Sequence, residues 1–84
     1  GPESLKIYPN PTSGKIYFSI TTSVAGNYNV ELWNAAGRIF NRSVMWINQG
    51  ESEHMISLSA VPPGIYYLKI YLGEHRFLQK VYIQ

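Results

Sequence analysis

Hydrophobic and polar residues alternate along most of this chain, which is the pattern of half-buried β-strands. Residues 15–21 show it clearly, because Ile16, Phe18 and Ile20 alternate with polar or amphipathic neighbours. Two further stretches, 28–33 and 65–72, repeat the same period. The predicted core positions are therefore apolar and share one parity within each strand: Ile16, Phe18, Ile20, Tyr28, Val30, Leu32, Tyr66, Leu68, Ile70 and Leu72.

Turn-forming residues divide the pattern into seven predicted strands, at residues 5–8, 15–21, 28–33, 38–47, 54–58, 65–72 and 76–83. The segments between them are rich in Gly, Pro and Asn, at 9–14, 34–37, 48–50, 62–64 and 73–75. The fourth segment alternates poorly, so a bulge or a break is expected there. No stretch shows a sustained 3.6-residue apolar period, so no helix is predicted.

Seven antiparallel strands need two sheets to bury one face of each strand. The predicted fold class is therefore all-β, an immunoglobulin-like antiparallel β-sandwich of about seven strands, with a small open barrel as the alternative. The Cys-Trp-Cys arrangement of antibody domains is missing, because the chain has no cysteine. With 84 residues, we expect one domain at 3–84, preceded at 1–2 by a Gly-Pro expression-tag scar.

Composition excludes several function classes. Without cysteine there is no thiolate zinc site, disulfide or cysteine nucleophile. The net charge of +2 comes from scattered residues, which argues against nucleic acid as a partner. The chain has two histidines and no aspartate, and no nucleophile-elbow motif, so we predict that it is not an enzyme and carries no cofactor or metal. Glu51 and Glu53 are interpreted as part of a solvated loop.

Five aromatic residues fall on the parity opposite to the predicted core: Tyr17, Trp33, Tyr67, Tyr71 and Tyr82. Exposed Tyr and Trp favour binding, and rings stack on apolar sugar faces. They equally serve as cross-strand pairs that stabilise a sheet. A carbohydrate-binding or adhesive accessory module of a secreted enzyme is therefore the alternative function, and a structural spacer is a third. Uncovered edge strands would also permit strand addition or strand-swapped self-association.

Four motifs in order resemble the type A C-terminal sorting domain of the type IX (Por) secretion system. They lie at residues 5–14, containing Pro-Asn-Pro, at 34–38, at 56–66 and at 80–83. The resemblance covers essentially the whole chain after the first two residues. It departs from the family pattern at Ser57, Asn34 and Val61, where that family often has an acidic residue, Asp and Leu.

The resemblance implies a sorting signal that directs a cargo protein across the outer membrane and that a sortase typically removes during surface attachment. The implied partners are the outer-membrane shuttle and sortase components and a parent cargo domain N-terminal to this one. The implied location is the periplasm, in transit to the cell surface or the medium. A partner-recognition surface is predicted at the Pro-Asn-Pro turn, the Gly-Ile-Tyr segment and the last strand: Pro9, Asn10, Pro11, Gly14, Gly64, Tyr66, Lys80 and Val81.

Overall fold

Seven β-strands run through the residues that the computed structural model describes, 3–58 and 60–84. They are β1 (Ser4–Tyr8), β2 (Lys15–Thr22), β3 (Gly26–Asn34), β4 (Ile39–Ile47), β5 (Gly50–Ser57), β6 (Gly64–Leu72) and β7 (His75–Ile83). The predicted tag scar at 1–2 lies outside the described residues, as does residue 59 of the third motif.

The strands form two antiparallel sheets, and the all-β sandwich prediction is confirmed. One sheet has the order β1-β2-β5 and the other the order β4-β3-β6-β7. This arrangement is the immunoglobulin one, in which the first, second and fifth strands lie opposite the third, sixth and seventh. Here β4 is added to the larger sheet. Two separate sheets exclude the open-barrel alternative.

The core lies between the sheets and consists of the residues that the alternation predicted. Ile16, Phe18 and Ile20 of β2 are fully buried, as are Leu68 and Ile70 of β6. Only Leu72, of the ten predicted core positions, is partly buried at the rim. Burying each large side chain contributes about 1.5–3 kcal/mol, so this single layer supplies most of the driving force for folding.

The β3–β4 hairpin contains both features that the sequence predicts for it. Asn34 begins its turn, where its backbone oxygen accepts from the Gly37 N–H at 3.0 Å and its side-chain Oδ1 accepts from the Arg38 N–H at 2.8 Å. The strand register then shifts between Leu32 and Trp33, which leaves Phe40 as the extra residue of a β-bulge. The expected irregularity in this segment is confirmed.

The fifth strand is longer than predicted, and the interpretation of Glu51 and Glu53 as part of a loop was wrong. β5 begins at Gly50 and pairs with β2 over its whole length, from Gly50 opposite Thr22 to Ser57 opposite Lys15. The polar run 50–54 obscured it, because an edge strand is held by backbone hydrogen bonds and tolerates polar side chains on both faces. In the described residues, no helix is long and apolar enough to cross a membrane.

Candidate recognition site

The Pro-Asn-Pro turn between β1 and β2 packs against the end of β7. The side-chain amide of Asn10 spans two residues of that strand: its Nδ2 donates to the Lys80 carbonyl at 3.2 Å, and its Oδ1 accepts from the Tyr82 N–H at 2.9 Å. The peptide bonds preceding Pro9 and Pro11 are both cis. Asn10 therefore pairs with the strand edge as the backbone of a neighbouring strand would.

Thr12 continues the same attachment through its backbone. Its N–H donates to the Tyr82 carbonyl at 2.9 Å, and its carbonyl accepts from the Gln84 N–H at 2.8 Å. The result is a single parallel bridge between Thr12 and Ile83. The Thr12 side chain is buried and donates to the Lys15 carbonyl, which ties the turn to the start of β2.

These contacts cover the C-terminal half of the β7 edge. Four backbone groups that would face solvent on an edge strand, the Lys80 and Tyr82 carbonyls and the Tyr82 and Gln84 N–H groups, are all hydrogen-bonded to the turn. An added strand could reach them only by displacing the turn. A partner that binds this end of the folded domain therefore meets the turn and the strand as one surface.

The third predicted segment begins β6 directly beside the same part of β7. Gly64 lies opposite Ile83, and Tyr66 lies opposite Val81. Gly14 completes the junction: its φ of +87° is a backbone conformation that favours glycine, and its carbonyl accepts from the Leu58 N–H at 2.8 Å. The turn, the start of β6 and the end of β7 thus meet at one pole of the sandwich, which we call the turn pole.

The predicted recognition residues at the turn pole differ in exposure. Six of them are solvent-exposed: Pro9, Asn10, Pro11, Gly14, Gly64 and Lys80. Tyr66 and Val81 are buried in the core, and the Tyr66 hydroxyl donates to the Pro62 carbonyl at 2.6 Å. Their side chains hold the strands in place, and neither residue is itself exposed to a partner.

The five outward aromatics do not form one surface. Tyr17 lies on the outer face of the three-stranded sheet, stacked on Tyr8 with ring centroids 6.1 Å apart. The other four lie on the outer face of the four-stranded sheet: Trp33, Tyr67, Tyr71 and Tyr82. Tyr17 and Tyr82 are exposed, whereas the remaining three are half-buried.

Two of those aromatics cover a buried carboxylate that sequence reasoning missed. Glu31 is only 2% exposed although it points away from the core, because the Trp33 Nε1 donates to it at 2.9 Å and the Tyr71 hydroxyl at 2.8 Å. The Arg42 Nε lies 3.3 Å from the same carboxylate. Glu31, Trp33 and Tyr71 alternate on one face, but only the register of β3 against β6 shows that they meet.

This network keeps Glu31 ionised. Burial on its own would raise the pKa of Glu31, but the hydrogen bonds from Tyr71 and Trp33 and the positive charge of Arg42 outweigh it, and the pKa lies below its ordinary value. The Tyr71 hydrogen bond connects β3 to β6 and the Arg42 contact connects β3 to β4, whereas the Trp33 bond lies within β3. The cluster therefore fixes the register of the four-stranded sheet.

The remaining titratable residues occupy separate positions. His54 stacks on Phe18 at 5.2 Å between ring centroids, and burial lowers the pKa of its imidazole. Glu51 and Glu53 belong to strand β5 and not to the loop predicted for them. Glu53 accepts a hydrogen bond from the Tyr8 hydroxyl at 2.6 Å. Within the described residues, no three His, Cys, Asp or Glu side chains come together in a group that could hold a metal ion.

Comparison with known protein families identifies a family whose model covers nearly the whole chain. The model of a family described as "Secretion system C-terminal sorting domain" matches residues 6–84. That range includes all seven strands apart from the first two residues of β1, and it includes the whole turn pole. No curated protein matches the chain.

Proposed function

The chain belongs to the family of C-terminal sorting domains of the type IX secretion system, and on that premise we propose that it is read at its turn pole. The observation that carries this proposal is the meeting of three motifs distant in sequence at one end of the fold. The domain acts as the sorting signal of a secreted or surface-exposed cargo. It is the substrate of the export apparatus and catalyses nothing itself.

The turn pole suits recognition because it is exposed and preformed. Pro9, Asn10 and Pro11 face solvent, and the Asn10 amide holds them against β7. A partner that binds such a surface immobilises few groups, so little conformational entropy opposes binding. Lys80 adds a positive charge at the same place, with its Nζ 5.3 Å from the centroid of the Tyr82 ring.

The position of the other pole supports the same assignment. β1 begins at Ser4, beside the loop that follows β2, where the Ser23 hydroxyl donates to the Glu3 carboxylate at 2.7 Å. β1 ends at Tyr8, next to the turn. A cargo domain attached ahead of Glu3 would therefore lie at the far end of a molecule 34 Å long and would leave the turn pole uncovered.

The proposal includes the later steps that the resemblance implies. The cargo crosses the periplasm with this domain attached, outer-membrane shuttle and sortase components bind the turn pole, and the sortase removes the domain as the cargo is attached at the surface. Tyr66 and Val81 take part through the strands that they support. The other predicted residues of the turn pole contact the apparatus directly.

A reporter fusion tests the function. Residues 3–84 are fused to the C-terminus of a periplasmic reporter in a bacterium with a type IX system. We expect the reporter at the surface or in the medium, and expect it to stay periplasmic when the apparatus is deleted or the domain omitted. The mass of the exported reporter shows whether the domain has been removed. A fusion retained in the periplasm of the secreting strain would refute the sorting function.

A further inference from the structure

Three of the four edge strands carry features that prevent another strand from pairing with them. On β7 the turn occupies the C-terminal half of the edge. β1 has only five residues and packs against β7 across the gap between the sheets. β5 presents Glu51 and Glu53 outward and a hydrogen-bonded polar pair, Ser52 and His54, at 2.8 Å on its other face. Charges, short length and covered edges are the usual protections against edge-to-edge association.

The fourth edge, on β4, has neither a short strand nor a covering turn between residues 41 and 47, and it carries a single charge. Its only charge, Arg42, is paired with Glu31 in the sheet it already belongs to. Val44 is 61% exposed and Trp46 is 56% exposed, both on the outer face. The bulge at Phe40 lies before this stretch. Among the described residues, the one hydrogen bond from this edge towards β5 joins Asn41 Nδ2 to the Ser57 carbonyl at 3.5 Å.

We propose that a second copy of this chain pairs with the β4 edge in antiparallel orientation, about a two-fold axis at Val44. The two four-stranded sheets would then form one eight-stranded sheet with both outer faces on the same side. The strands remain in their own chains, so this association differs from strand swapping. It does not depend on the proposed sorting function.

The side chains of β4 complement a second copy in this register. Outer-face residues must oppose outer-face residues, because a one-residue slip would reverse the faces. An axis at Val44 centres the pairing on the stretch 41–47 and places Val44 opposite its own copy. Arg42 then lies opposite Trp46 of the second copy; its Nε stays on Glu31, and because the side chain is 62% exposed, the outer part of the guanidinium can pack on that indole. No like charges face each other in this arrangement.

One pair of strands buries a small area, so the association should be weak and concentration-dependent. Sedimentation equilibrium of residues 3–84 is the direct measurement. We expect the average mass to rise with protein concentration from the monomer value, about 9.6 kDa for the full chain, towards twice that value. A protein that remains monomeric at millimolar concentration would overturn the proposal.

Charge variants at the axis locate the interface. Val44→Lys and Val44→Glu each place two like charges in direct opposition, so each variant alone should be monomeric, and an equimolar mixture should recover the dimer. Val44 is exposed, and circular dichroism verifies that the variants fold. Leu78→Lys is the matched control, because Leu78 is 66% exposed on the same sheet face but lies on β7. Dimers that persist in both single Val44 variants, or that Leu78→Lys abolishes, would assign the association to another surface and refute the proposal.

Discussion

Replacing Asn10 with alanine removes the two hydrogen bonds that hold the turn against β7. The bonds join its amide to the Lys80 carbonyl and to the Tyr82 N–H. A neutral hydrogen bond contributes about 0.5–1.5 kcal/mol net, and water can reach these groups once the amide is gone. We therefore expect Asn10→Ala to lower the free energy of unfolding by about 1–2 kcal/mol. For a short chain with a urea m-value of about 1 kcal/mol/M, the midpoint should fall by about 1–2 M.

Urea denaturation followed by tryptophan fluorescence measures this loss, and amide hydrogen exchange locates it. The Tyr82 amide should exchange faster in the variant, because Asn10 Oδ1 is its hydrogen-bond acceptor. Asn27→Ala is the matched control: Asn27 is exposed on β3, near the opposite pole, and its replacement should leave both measurements unchanged. An unaltered midpoint together with unaltered Tyr82 exchange in Asn10→Ala would refute the attachment of the turn.

Asn10→Asp adds a test of hydrogen-bond direction. At neutral pH the carboxylate can accept from the Tyr82 N–H but has no proton to donate to the Lys80 carbonyl, so the loss should equal or exceed that of Asn10→Ala. Protonation restores the donor, which raises the folded-state pKa of this carboxyl above the unfolded value of about 3.9. The deficit relative to the natural protein should therefore shrink as the pH falls through that range. A deficit that is independent of pH would contradict the assignment of Nδ2 as donor.

Three further predictions concern stability. Glu31→Gln should lower the free energy of unfolding by about 2 kcal/mol, because hydrogen bonds to a charged group contribute about 1.5–3 kcal/mol each and one acceptor remains. The folded pKa of Glu31 lies below 4.5, so its contribution to stability is present above that pH and is lost as the pH falls through the folded pKa. The stability of the variant should therefore fall less steeply at acid pH in denaturation experiments, and an equally steep fall would contradict this. Burial lowers the pKa of His54 below 6.5, so the natural protein should lose stability as the pH falls from 6.5 through the folded pKa, whereas His54→Gln should not. Equal slopes of unfolding free energy against pH for the two proteins between pH 7 and 5 would exclude His54 as the cause. Gly14→Ala should lower the melting temperature by about 4–8 °C, because a φ of +87° costs an alanine about 1 kcal/mol. The added methyl group itself meets nothing within 4 Å, so the loss comes from the backbone alone. An unchanged melting temperature would argue against that backbone conformation.

Alternation of side chains was sufficient to predict most of the fold. Ile16, Phe18 and Ile20 are buried because a β-strand turns successive residues to opposite faces, and that period is visible in the sequence. The bulge at Phe40 was likewise visible, as a break in the alternation of its segment. The start of β5 was not, because Gly50 to Glu53 has no apolar alternation and is held in the sheet by backbone hydrogen bonds to β2.

The candidate site could be predicted only in part, because its contacts connect residues far apart in the chain. The sequence indicates a rigid turn at Pro9–Pro11, but the bond from Asn10 to the Lys80 carbonyl joins residues separated by 70 positions. Tyr66 was predicted as a core residue from the alternation and as a recognition residue from its motif, and the structure buries its side chain. Glu31 has the parity of an exposed residue, and it is buried because Trp33 and Tyr71 cover it, the latter from a strand that is distant in sequence.

The most direct test of recognition at the turn pole compares two charge reversals on one strand. Lys80 and Arg76 are both exposed on the outer face of β7, about 13 Å apart at 3.3 Å per residue, and only Lys80 lies at the turn pole. In the reporter fusion, surface labelling should show reduced export of Lys80→Glu and unchanged export of Arg76→Glu, with equal melting temperatures for the two isolated domains. Equal export of the two variants, or a loss confined to Arg76→Glu, would contradict recognition at the turn pole.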